Sequence, residues 1–147
     1  MNRPEIYLAF DYGTRKIGVA VGQDLTRSAR PLATVSAVDG DPDWERLAQL
    51  VAKWSPAALV VGLPLAAGEE TAASRAARRF GQTLASRYNL PVHWIDETLT
   101  SESANQMLAG QSAKNRQQRR DQVAACLIME TFFNHRPPLE RHGPADG

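Results

Sequence analysis

One cysteine, Cys126, is too few for an internal disulfide or a cysteine zinc site, and its apolar helical setting marks it as core filler. Histidine is scarce too: His93 falls in a strand pattern, His135 and His142 near or in the tail, and none is placed for catalysis. No apolar run approaches membrane-spanning length, so no membrane contact is expected. Met1-Asn2-Arg3-Pro4-Glu5 lacks the apolar segment and cleavage site of a signal peptide, which predicts a cytoplasmic protein. Trp44, Trp54 and Trp94 all fit core positions, which leaves no aromatic platform for stacking bases. The net charge is only +1, so any role with nucleic acid must come from how the charges are distributed. No hydrophobic helix face is left over, which suits a monomer or weak dimer.

What is present is ordinary for a soluble domain: 147 residues, 43% hydrophobic and 22% charged. That length accommodates one core, expected over residues 1–135, with a mobile tail at 136–147. Ile6 to Asp11 and Ile17 to Gly22 are apolar runs around a turn containing Gly13, a hairpin. Pro31 to Val38 alternates loosely and makes a third strand. Asp41 and Pro42 have the chemistry of a helix start, followed by Leu47, Leu50, Val51 and Trp54 at helical spacing. Ala57 to Leu63 is continuously apolar, as in a central parallel strand. A second helix is expected from about Glu70 to Tyr88, interrupted in pattern by Gly81, and a strand from Pro91 to Asp96. Helices from Thr100 to Leu108 and from Asp121 to Phe133 complete the order β-β-β-α-β-α-β-α-α. This is an α/β chain with a mixed five-stranded sheet, three antiparallel strands then two parallel, and helices on both faces.

Asp11 ends the first strand and Asp96-Glu97 end the last, at the sheet edge where ligands gather on such folds. Asp11 is either a turn cap or a metal ligand. The two strands are about 10 Å apart, too far for an easy direct hydrogen bond between the acids but suitable for a shared cation. Of Asp96 and Glu97 only one should face the site, and the longer Glu97 reaches further. Asp121 heads the row Ala125, Ile128, Met129, Phe132 and is delivered inward, although an acid at a helix start is also favoured by the dipole alone. Three converging acids without cysteine or histidine suit Mg²⁺ or Mn²⁺ and phosphoryl-transfer chemistry.

Asp11-Tyr12-Gly13 with Ile17-Gly18-Val19-Ala20, then Val61-Gly62-Leu63-Pro64, Asp96-Glu97-Thr98-Leu99-Thr100 and Asp121-Gln122-Val123-Ala124-Ala125 resemble, in order, the motifs of the YqgF family, also called RuvX. The resemblance implies a ribonuclease H-like fold. It implies a metal-dependent nuclease that resolves Holliday junctions or matures the 5′ end of precursor 16S rRNA. Its partners would be precursor rRNA, branched DNA and ribosomal precursor particles. Its catalytic and metal-holding acids would be Asp11, Glu97 and Asp121. Two departures stand out. The family's Asn-x-Asp-Gly loop is replaced by Leu65-Ala66-Ala67-Gly68-Glu69-Glu70, and Thr98 stands where the family has Arg.

Lys114, Arg116, Arg119 and Arg120 precede Asp121 and, with Lys16 in the first hairpin, form the candidate nucleic-acid surface; Arg116, Arg119 and Arg120 would share a helix side. Arg75, Arg78 and Arg79 read as solvated or paired with Glu69 or Glu70. Two rival functions remain. A non-catalytic nucleic-acid-binding factor in ribosome assembly or transcription has no need of three acids. An actin-type ATP-binding unit needs two such halves.

Overall fold

Alternation along each strand decides which side of the sheet a residue serves. The computed structural model describes residues 4–99 and 113–135, with backbone alone at 99 and 113–121. Its elements are β1 (Ile6–Asp11), β2 (Lys16–Gln23), β3 (Ser28–Val38), β4 (Asp41–Pro42), α1 (Trp44–Trp54), β5 (Ala58–Leu63), α2 (Ala72–Tyr88), β6 (Val92–Asp96), a 3-10 turn (Glu97–Leu99) and α3 (Ala113–Asn134). The helix expected over 100–108 and the tail at 136–147 lie outside the described residues. No described helix is long and apolar enough to cross a membrane.

The strands lie in the order β4-β3-β2-β1-β5-β6. β1, β2, β3 and β4 pair antiparallel in succession. β5 lies parallel between β1 and β6. This is the expected mixed α/β sheet, three antiparallel strands then two parallel, with a sixth strand added at the edge. The addition corrects the reading of Asp41 and Pro42 as a helix start. They turn back through Asp39 and Gly40, both at positive φ, and pair with Val38 and Ala37. An edge position tolerates proline because its missing N–H faces no neighbour. α1 therefore begins later, and its cap is Asp43, whose side chain accepts from the Arg46 N–H at 3.2 Å.

On one face Leu8, Phe10, Ile17, Val19, Val35, Leu59 and Val61 are buried under Leu47 and Leu50 of α1 and Ala77, Phe80 and Leu84 of α2. Each fully buried large side chain contributes about 1.5–3 kcal/mol. On the other face Tyr7, Ala9, Ala20, Ala58 and Val60 meet Ala125, Cys126, Ile128, Met129, Phe132 and Phe133 of α3. The small residues on this face bring α3 close to the sheet. α2 runs unbroken through Gly81, where a Cβ would stand 2.6 Å from the Trp94 ring. The glycine is there to admit the tryptophan. All three tryptophans pack at the margin of the core, half-buried, each with a cation over its ring.

Candidate active site

Asp11 continues the row Tyr7, Ala9 that faces α3. Across the sheet it pairs with Gly18 of β2, and on the other side it follows the Phe10–Val61 pair, level with Gly62 of β5. A carboxylate thus stands between two residues without side chains. The 3-10 turn after β6 brings Glu97 back over this gap. A Cβ on Gly62 would lie 2.6 Å from Glu97 Oε2, 2.8 Å from its Cγ and 2.5 Å from Ile128 Cδ1.

Glu97 therefore lies flat across the middle strand, and its carboxyl group is hydrogen-bonded to that of Asp11. The expectation that the two acids are too far apart for direct contact is corrected. Strand spacing set that limit, and the absent side chain at Gly62 removes it. Burial pushes the Glu97 carboxyl above the ordinary carboxylate range, and the Asp96 charge adds to the rise against the opposing Asp11 hydrogen bond. Two carboxyl groups this close hold a proton between them unless a cation replaces it.

Asp96 has a different duty. Its Oδ1 accepts from the Thr98 N–H at 3.0 Å and from the Thr98 hydroxyl at 2.9 Å, capping the 3-10 turn. Thr98 thus fixes the turn that presents Glu97. Neither this clasp nor the part played by Gly62 was read from sequence. A glycine in an otherwise apolar central strand was the available signal.

Asp121 lies on α3, and its side chain is outside the described residues. One to three turns on, Ala125, Ile128, Met129 and Phe132 of its row are all buried against the sheet. The helix begins at Ala113, so Asp121 is in its third turn. That removes the helix-dipole explanation for an acid there, which holds only in the first turn. Gln122, its neighbour, donates from Nε2 to Thr34 Oγ1 at 2.9 Å, tying this part of α3 to β3. Among the described residues no group of three histidines, cysteines or acids is arranged to hold a metal. The described donors are two carboxylates in contact beside a glycine gap, which suits a hard divalent cation.

Lys16 opens β2, exposed, on the Lys16-Gly18-Ala20 row that shares the acid face. Lys114, Arg116, Arg119 and Arg120 lie on the first two turns of α3, where their side chains are outside the described residues. On α2, Arg78 is paired with Glu70 at 2.7 Å. The His93 ring packs at a tilt against Phe132, with centroids 4.9 Å apart.

The sequence profile of the RuvX family, described as Holliday junction resolvase, matches residues 5–135. A protein of Nitrosococcus oceani named "Putative pre-16S rRNA nuclease" is 46% identical over 143 residues, covering 96% of this chain and 93% of that one. A protein of Azotobacter vinelandii with the same name is 46% identical over 140 residues, covering 93% and 99%. Among solved structures, T. thermophilus RuvC in complex with a Holliday junction substrate aligns over 88% of this chain and 93% of its own, with a TM-score of 0.49 and 18% identity. The chain belongs to the RuvX family.

Proposed function

We propose that this protein is a divalent-metal-dependent nuclease that hydrolyses phosphodiester bonds in the 5′ end of precursor 16S rRNA, in branched DNA such as Holliday junctions, or in both. The observation that carries the reading is the Glu97 carboxyl laid over Gly62 into contact with Asp11. A half-buried acid pair of this kind is unfavourable by itself, and a function that places a cation there explains it.

Asp11 and Glu97 would hold Mg²⁺ or Mn²⁺, with Asp121 completing the set from α3. When bound, such an ion activates water and neutralises charge on the attacking and leaving oxygens. The residues themselves orient the ion, through a strand end, a clasped 3-10 turn and a helix packed on the sheet. Glu97, whose proton affinity is raised by burial, is suited to take a proton from the attacking water. Lys16 and the basic turns at the start of α3 would hold the phosphates on either side of the scissile bond. Residues 1–135 act in this reading as one catalytic unit in the cytoplasm.

The test is cleavage of a precursor 16S rRNA fragment and a four-way DNA junction in Mg²⁺, in Mn²⁺ and in EDTA. Asp11→Asn, Glu97→Gln and Asp121→Asn should each lower the rate on the order of 10²–10³-fold, and EDTA should abolish it. Cleavage that persists in EDTA and in Asp11→Asn would remove the metal-nuclease reading, and binding without cleavage in any of these conditions would leave a binding factor.

A further inference from the structure

Arg75, Arg79, Thr83 and Arg87 follow one another at four-residue steps on α2, a single row about 18 Å long. Arg78, one position off the row, is the arginine that has an acid partner, at Glu70. The charge of Arg75 also reaches Glu70, but none of the three arginines in the row forms an ion pair among the described residues. Like charges lined up in this way repel one another unless an anion lies along them.

The row borders two hollows. A cleft of about 470 Å³ is enclosed by Tyr12 and Thr14 of the first hairpin, Asp39 to Pro42, Trp44, and Arg79 and Thr83 of α2. A shallower hollow of about 340 Å³ continues from it along Arg79, Gln82, Ser86 and Arg87. The Arg87 guanidinium lies 4.1 Å from the centre of the Trp44 ring, which holds that charge at the cleft. The far wall is stiff: the Tyr12 hydroxyl donates to the Gly40 carbonyl at 2.6 Å, and its ring packs on Phe80. A face that merely carried solvated charge would need neither the concavity nor the fixed wall.

The cleft also adjoins the acid pair. Tyr12 follows Asp11 directly, and Thr14 lies in the turn joining β1 to β2, so both sites are built on one hairpin at one edge of the sheet. The acids lie on the α3 face and the cleft on the α1–α2 face.

We propose that the cleft and the arginine row form a second phosphate-binding track, which takes the sugar-phosphate backbone of a nucleic acid strand beyond the point of cleavage. Arg79 and Arg87 contact phosphates, with the Thr14 and Ser86 hydroxyls and the Gln82 amide as further donors. Exposed Asp39 and Asp41 on the opposite wall keep the backbone on the α2 side. The proposal rests on the nuclease reading for the identity of the strand, though its binding is measured separately.

The experiment is fluorescence anisotropy of the full chain with a labelled precursor rRNA fragment and a labelled four-way junction, in EDTA to prevent cleavage, across a salt series. Arg79→Gln/Arg87→Gln should make the log–log salt slope shallower by about 1.4–1.8, two phosphate contacts' worth. Arg79→Lys/Arg87→Lys should restore the wild-type slope, and Arg78→Gln should leave it unchanged. Should removing Arg87 disturb Trp44, Arg79→Gln alone should change the slope by about 0.7–0.9. An unaltered slope in the glutamine variants, or a lysine pair that behaves like the glutamine pair, overturns the track. A wild-type chain that binds with the expected slopes but never cleaves overturns the nuclease reading and leaves the track standing.

Discussion

A methyl group at position 62 would occupy the space now filled by Glu97 and Ile128. Gly62→Ala should therefore cost about 1–3 kcal/mol of stability through overpacking and move Glu97 away from Asp11. Cleavage should fall sharply while nucleic-acid affinity in EDTA stays within about twofold, as the phosphate contacts lie elsewhere. A variant that cleaves normally would show that Glu97 does not need this path. Glu97 also makes a pH prediction. Its carboxyl is raised above the ordinary value of 4.5 in the folded chain. As pH rises past that value the unfolded chain ionises first, so the folded state holds the extra proton and loses stability. In EDTA, thermal melts from about pH 4 to about pH 7 should show the wild type losing stability relative to Glu97→Gln. Parallel curves would contradict the raised Glu97 carboxyl.

Among the elements, the loop after β5 holds local backbone strain. Ala66 and Glu69 exchange backbone hydrogen bonds of 2.9 and 2.8 Å around Ala67 and Gly68, both at positive φ. A two-residue turn of this hand wants Asn or Gly at its first position, and alanine there is strained by roughly 1–2 kcal/mol. Ala67→Gly should raise stability by up to about 1 kcal/mol, readable as a higher denaturation midpoint, without changing cleavage. The strand order and both helical faces were legible in the apolar spacing, since periods of two and 3.6 report directly on burial. Three features were not: the edge strand β4, whose Asp41-Pro42 pair has the chemistry of a helix start, and two others. The start of α3 was hidden because residues 113–120 are polar and carry no apolar period, although their backbone is helical. The meeting of Asp11 and Glu97 was hidden because it depends on a missing side chain in a third strand. Asp96, the acid that reach argued against, accepts two hydrogen bonds from Thr98.

For the whole molecule, a cation that binds only the folded chain should stabilise it by mass action, about 2.7 kcal/mol at a hundredfold excess over the dissociation constant. Mg²⁺ or Mn²⁺ should raise the melting temperature of the wild type and leave Asp11→Asn nearly unmoved. Equal shifts in both would place the ion elsewhere. The pleat at the end of β1 has one more consequence. It sends Asp11 toward α3 and Tyr12 toward α2, on opposite sides of a layer one strand thick. A ligand that engages both neighbours has to curl around the rim, which a straight duplex resists and a frayed end or a crossover point allows. Bendability, more than base identity, would then govern which molecules this protein accepts.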